Sequence, residues 1–460
     1  MSTLTSTNPY TLEENWTVEL ISDETLTELI EQALTTYTSW SQTSLEERSK
    51  LFHELADLLE ERKENYARLE TIEMGRLYSV AVKWITWTAN LMRWYADNVE
   101  RVLAQESFKP WEQYWTLEGH FQYDPLGVIY GIAPWNFPFN QLLRAAAANI
   151  IAGNTQLYKH ASNVPLCAQA IQQLFDDAWF PKGVYTTLFI KSSQSELIIK
   201  HDAVQGVNLT GGERAGAAIG SLAWKYLKPS VLELWGNDAF VLLDHQDTDS
   251  MAAEAVACRI SNGGQRCNAS KRFIVLDEHY DAFVEAMSCY MDQLVLWDPM
   301  LTETTLPPMS SSRLVEEIHD QVMRSIDAWA RLVTWGSATW DHNQFYQWTV
   351  LADVTPWMPA FDEEIFGPVA SVIRSSSVEE SIHLANSSPY ALSAVVFGDD
   401  QQECKRVASQ LQWGMIFINN PAWSKASLPF GGVKRSGYGK ENGDSWILAF
   451  TNKKAVVYTI

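Results

Sequence analysis

A chain of 460 residues, 46% hydrophobic and 20% charged, is too long for one hydrophobic core and has the composition of an ordinary globular protein, so two or three domains are expected. A net charge of −22 repels phosphate backbones and argues against a nucleic-acid partner. No run is long and apolar enough to span a bilayer, and the first residues lack a basic region followed by an apolar core, so no membrane association and a cytoplasmic location are expected.

In chain order, residues 22–105 read as helices. Leu51, Leu55, Leu58 and Leu59 recur at helical spacing amid Glu and Arg, giving one apolar face. From about residue 125 the pattern becomes strand–helix alternation. Apolar strands at 125–133, 155–160, 183–190, 203–211 and 230–236 are separated by helices at 140–154, 164–178, 195–201 and 212–227. Such alternation means a parallel, doubly wound sheet. A second α/β unit starts near 238–244 and continues through a helix at 251–260, a strand at 271–277 and a helix at 281–294. Segments 115–125 and 453–460 look extended and outside either sheet.

The five cysteines form no CxxC pair and an odd set, so neither a zinc ribbon nor a disulfide framework is expected, and no metal site is assigned. Four of them lie in apolar or helical surroundings. Cys267 sits instead among Gly263, Gly264, Gln265 and Asn268, a polar, glycine-lined turn where a usable thiolate could be exposed.

Doubly wound sheets bind ligands beyond the carboxyl ends of their strands. Three such ends carry marked residues: Trp135-Asn136 after the first strand, Lys159 through Ser162 after the second, and Gly211-Gly212 opening the helix at 212–227. Each has a bland alternative, as a helix cap, a solvated lysine or an ordinary turn. The glycine string from Gly437 to Gly443 follows no expected strand and is rejected as a nucleotide site.

Six segments in order, at 132–138, 157–163, 209–216, 263–273, 363–368 and 429–441, resemble the aldehyde dehydrogenase superfamily. The resemblance runs from about residue 10 to the end, and its length and wording are similar to the short succinate-semialdehyde branch. It implies an α/β fold of two doubly wound domains plus a small extended oligomerisation element. Residues 1–110 and 127–236 would bind a nicotinamide dinucleotide, 237–430 would carry Cys267, and 111–126 with 443–460 would join subunits into a homodimer or homotetramer.

The resemblance also implies roles. Cys267 would attack the aldehyde carbonyl, forming a thiohemiacetal whose oxyanion is held by the Asn136 amide and the backbone N–H of Cys267. After oxidation by the nicotinamide, the thioester would be hydrolysed by water activated by Glu233. Trp135, Asn136, Lys159, Ser162, Gly211, Gly212, Leu234, Glu364 and Phe366 would line the cofactor site, with Glu364 on the nicotinamide ribose. Relatives preferring NAD often carry Glu where Ser162 stands, so NADP is allowed and mildly favoured, with NAD left open. Arg144 matches an arginine that binds the substrate carboxylate, a group suited to a guanidinium fork. The expected reaction is oxidation of a short aldehyde with a distal carboxylate, succinate semialdehyde to succinate. The alternatives are an aldehyde dehydrogenase of broad or different range, or a non-catalytic relative.

The composition holds one anomaly. There are 20 Trp against 23 Gly, where usage near ~7% would give roughly 32 glycines. Trp179, Trp235, Trp297, Trp335, Trp357 and Trp413 stand at turn positions that suit glycine, and Trp235 interrupts a Glu-Leu-Gly-Gly pattern. The expectation is that a codon read as glycine in the source was rendered as tryptophan. The rival is that the tryptophans are real, in which case Trp235 beside Glu233 would abolish activity and the non-catalytic alternative gains weight.

Overall fold

The apolar runs from residue 125 onward do form one parallel sheet. In space its strands run Tyr185–Leu188, Thr155–Lys159, Val128–Ile132, Val204–Thr210 and Ser230–Glu233, with the short strand Gly437–Tyr438 antiparallel at the far edge. Numbered along the chain, the five parallel strands are ordered 3-2-1-4-5, so the winding reverses between Val128–Ile132 and Val204–Thr210. Gly131 has no side chain for a packing reason: a Cβ there would stand 2.3 Å from the Tyr158 ring. The computed structural model describes residues 3–108, 117–339 and 344–459.

The helix Pro138–Ile151 is buried on every side. Its run Ala145–Ala148 keeps it thin enough to lie between this sheet and the helices Leu45–Glu61, Lys63–Met74 and Tyr78–Val102, whereas Leu26, Ile30 and Ala33 of the helix Asp23–Trp40 pack directly on the sheet with Val128, Tyr130 and Leu157. Leu45–Glu61 starts on a capping box, with Glu47 N–H donating to Ser44 Oγ and Ser44 N–H to Glu47 Oε2, each at 3.2 Å. Leu55 and Leu59 are buried, while Leu51 and Leu58 are partly buried against the same core. A hairpin of Thr3–Thr7 and Glu14–Glu19 precedes these helices and has no counterpart in the sequence reading.

The second sheet has seven strands, in the order Arg331–Thr334, Thr349–Ala352, Val369–Ser375, Ser270–Leu276, Asp238–Leu242, Ser393–Phe397 and Met415–Ile418. All neighbours are parallel except the first pair. The extended segments at 115–125 and 453–460 meet in a third, antiparallel sheet, with Thr451–Thr459 paired to Leu117–Pro125 and that strand to Glu106–Phe108. Residues 111–116 and 460 of the expected oligomerisation element lie outside the described residues. No helix among the described residues is long and apolar enough to cross a membrane.

Among the described residues, eleven that are not glycine have positive φ. Asn and Asp, which tolerate this region, supply four, and Leu12, Leu227 and Lys434 three. The other four are tryptophans: Trp179 (φ 62°), Trp329 (79°), Trp335 (31°) and Trp357 (79°), with exposures of 81%, 88%, 58% and 91%. Trp179 and Trp329 each close a helix in the hydrogen-bond pattern that favours glycine. Phe180 N–H donates to Phe175 O at 3.1 Å after the first helix, and Ala330 N–H to Ser325 O at 2.9 Å after the second. Trp235, Trp297 and Trp413 do not have positive φ.

Candidate active site

At the switch point, Val128–Ile132 runs out into Trp135 and Asn136. Asn136 is buried, and its Nδ2 donates to Gln265 O at 3.0 Å, two residues before Cys267. The loop leading to Cys267 turns through three successive left-handed residues, Asn262, Gly263 and Gly264. Gly264 is required there, since a Cβ would stand 2.2 Å from Gly367 O. Arg76, to which the sequence assigned no role, fixes both sides. It is fully buried, donates from Nε to Asn262 Oδ1 at 3.0 Å and from Nη1 to Glu70 Oε2 at 2.7 Å, and its Nη2 also reaches Asn136 O. Asn262 Nδ2 completes the lattice on Asn136 O and Gln265 O, at 3.2 and 3.3 Å. A lone arginine after a helix-ending glycine gives no sequence signal of this.

Cys267 is half-buried. The turn does not expose a ready thiolate as expected: burial, and then the neighbouring Glu233 charge, push the thiol well above its usual range, against the pull of Lys271 and Arg144. Glu233 ends the strand Ser230–Glu233 with its carboxylate buried. Neither of its oxygens has a satisfied hydrogen bond, and the Cys267 thiol lies against them. Burial first, then the Glu441 charge, raise it to about 8, while Arg144 opposes. Arg144 is also buried. Its guanidinium pairs with Glu441 and lies 4.5 Å from the centre of the Phe430 ring, leaving Nε without a partner. Glu441 Oε1 accepts from Thr210 Oγ1 at 3.3 Å, so the carboxyl end of a central strand and the 429–441 segment meet at Arg144. Glu441 lay inside a quoted motif without a role.

The residues expected to hold a cofactor surround the same strand ends. Gly211-Gly212 follow Val204–Thr210 and open the helix Glu213–Lys225, whose N-cap Gly212 makes no side-chain cap hydrogen bond. A Cβ on Gly211 would meet only Leu209 Cδ2, at 3.6 Å, so close approach over it is open. Lys159 ends its strand with Nζ making one hydrogen bond, to His160 O at 3.1 Å, and Ser162 is exposed in the turn beyond. Trp135 packs edge-on against Phe366 with ring centres 5.8 Å apart. Glu364 Oε1 pairs with Lys271 Nζ at 2.8 Å and accepts from Gly236 N–H at 3.3 Å. Lys271 also binds Arg266 O at 3.1 Å, tying this carboxylate to the cysteine loop. Leu234 packs over Gly216, where a Cβ would stand 2.4 Å from its Cδ2. The open backbone over Gly211 and the lysine and carboxylate at the neighbouring strand ends suit a dinucleotide, and one residue opposes it. Trp235 Nε1 stands 2.9 Å from where a Gly212 Cβ would be, so the indole covers the glycine turn.

The aldehyde dehydrogenase family model matches residues 1–456. The chain belongs to the aldehyde dehydrogenase family. This aldehyde dehydrogenase is 42% identical to the succinate-semialdehyde dehydrogenase [NADP(+)] of Deinococcus radiodurans over 98% of the chain and 93% of that protein. It is 38% identical to the succinate semialdehyde dehydrogenase [NAD(P)+] of Escherichia coli, over 98% and 97%. The succinic semialdehyde dehydrogenase of Streptococcus pyogenes, solved with NADP+, superposes with a TM-score of 0.96 at 36% identity, over 99% of this chain and 100% of that one.

Proposed function

We propose that this aldehyde dehydrogenase oxidises succinate semialdehyde to succinate with NADP, or with NAD as the weaker cofactor, through a covalent intermediate on Cys267. The observation that carries the reading is one buried cluster in which a nucleophile (Cys267), a base (Glu233) and a cation suited to a carboxylate (Arg144) act on one another's charge. The names of the relatives from Deinococcus and Streptococcus support the substrate and the cofactor.

The chemistry follows from where each proton sits. With the thiol pushed up by burial, sulfur needs a base as it attacks, and the Glu233 carboxylate against it takes that proton. The alkoxide that forms is met by Asn136 Nδ2, which has one N–H free besides its bond to Gln265 O, and by the Cys267 N–H. When bound, the nicotinamide accepts the hydride leaving the substrate carbon. Once that proton has passed to solvent, the Glu233 carboxylate draws a second one from the water that attacks the thioester, and its burial keeps its basicity high for that task.

We also propose a cytoplasmic homo-oligomer, dimer or tetramer. The sheet of Thr451–Thr459, Leu117–Pro125 and Glu106–Phe108 supports this, because among the described residues Thr451–Thr459 pairs on one side only and presents an open edge. Light scattering on the purified enzyme checks the subunit count. The activity is checked by steady-state turnover of succinate semialdehyde with each cofactor and a Cys267→Ala control. No turnover by either cofactor, in protein that binds one of them, refutes the proposed reaction.

A further inference from the structure

Against the loop that carries Cys267 lies a cleft of about 180 Å³ lined by Glu254, Cys258, Ser261, Arg266, Asn268 and Ala422, among others. In the stretch Asn262–Ser270, Arg266 and Cys267 are the two residues that are not fully buried, so the loop opens to solvent at these neighbours. The Arg266 guanidinium makes three hydrogen bonds, all to neutral acceptors: Asn268 Oδ1 at 2.9 Å, Ser261 Oγ at 3.1 Å and Ala422 O at 3.1 Å. Among the described residues no carboxylate lies within ion-pair distance of it. Glu254, across the cleft, is turned to Cys258 Sγ at 3.8 Å. The contrast with Arg144 is direct, since Arg144 already has Glu441 as its counter-ion. Among the described residues this half-buried guanidinium has no anion and two N–H groups without an acceptor, an unbalanced charge that a ligand anion would satisfy.

We propose that Arg266 is a second carboxylate-binding cation of the substrate site, sharing the distal carboxylate of the aldehyde with Arg144, whose charge Glu441 partly meets. The inference rests on the proposed substrate class and names the residue that selects it. Both guanidinium charges act on the Cys267 thiolate, so both lie near the reacting sulfur.

The test compares kcat/KM for succinate semialdehyde and for butanal in the wild-type enzyme, Arg266→Met and Arg266→Lys. In Arg266→Met the preference for the charged aldehyde falls about 10- to 100-fold, the range for a charge-assisted hydrogen bond, with butanal little changed, and Lys restores part of it. Succinate binding by calorimetry without cofactor falls in parallel. A wild-type enzyme that prefers butanal overturns the proposed substrate. A preference for succinate semialdehyde left intact in Arg266→Met, or an equal fall for both aldehydes, overturns the role of Arg266 alone.

A different observation carries a second inference. Four exposed tryptophans occupy left-handed backbone, two of them at helix ends patterned for glycine, and a fifth covers the glycine turn of an otherwise well-formed nucleotide site. We infer that the working enzyme carries glycine at Trp179, Trp235, Trp329, Trp335 and Trp357, from a codon that its source reads as glycine. Trp40 and Trp446 are a contrasting set: buried, right-handed, with indole N–H groups donating to Ile150 O at 3.0 Å and Arg144 O at 3.1 Å. Tandem mass spectrometry of peptides from the enzyme isolated from its source reads the residues directly. Glycine at the five positions with tryptophan at Trp40, Trp135 and Trp446 is the expected result. Tryptophan at the five positions, or one codon shared by Trp235 and Trp135, overturns it.

Discussion

Replacing Trp179, Trp329, Trp335 and Trp357 together by glycine tests the backbone argument without touching the active site. A left-handed residue with a Cβ costs roughly 1–2 kcal/mol, and glycine gives back about 0.5–1 kcal/mol through its freer unfolded chain. The net gain is then about 0.5–1 kcal/mol per site. All four side chains are more than half exposed, so little apolar burial is lost. The sites lie on separate turns, and their effects should add to about 2–4 kcal/mol. With an unfolding entropy of ~2 cal/mol/K per residue, a chain of this length melting as one unit gains about 2–4 °C. Scanning calorimetry at two heating rates measures the shift and guards against irreversible unfolding. Trp40→Gly is the control: buried in a helix, it should lower the melting temperature sharply. If the quadruple variant melts at or below the parent temperature, the indoles are stabilising contacts and the strain argument is wrong.

Other outcomes follow from the site. Trp235→Gly uncovers the Gly211-Gly212 turn, so NADP binding measured by fluorescence titration should tighten at least about tenfold if ~1.4 kcal/mol of indole displacement is relieved. Because Glu233 sits near 8, its carboxylate fraction rises with pH, and kcat should climb through about pH 8 and then level. In Glu233→Gln that limb should vanish and kcat drop by about 10²–10⁴ in steady-state turnover, because both the attack by sulfur and the hydrolysis of the thioester lose their base. Arg76→Lys keeps a cation for Glu70 but loses the fork onto Asn136 and Asn262. Its kcat should fall about tenfold or more at nearly constant KM, and an unchanged kcat would show that the lattice is not what holds the oxyanion donor.

The alternation of apolar strands and helices made the first sheet legible, because strands buried on both faces leave continuous runs such as 125–133. The motifs brought Asn136, Glu233, Cys267, Glu364 and Arg144 onto one list, and all five fall around the same strand ends. Pairing was not legible. Arg144 with Glu441, Lys271 with Glu364 and Arg76 with Asn136 are joined across 60 to 300 residues by the winding of the sheets, and no local spacing encodes such contacts. The protonation of the thiol is not legible for a related reason: the polar residues around Cys267 in sequence do not show the burial supplied by distant segments. Trp329 escaped notice because its neighbours look like ordinary helix, and only the 5→2 and 6→1 hydrogen bonds at the helix end show the turn.

The Arg144–Glu441 pair joins the first third of the sequence to a segment almost 300 residues later, and Gly437–Tyr438 closes the edge beside Glu233. On the ribosome, the nucleophile is made long before the carboxylate that neutralises Arg144. A nascent or truncated chain therefore holds a guanidinium seeking burial without its anion, and its Glu233 lies at a bare sheet edge. After burial, Glu441 is the largest influence raising the catalytic base. Fragments ending before Glu441 should leave Arg144 without its counter-ion and Glu233 less basic.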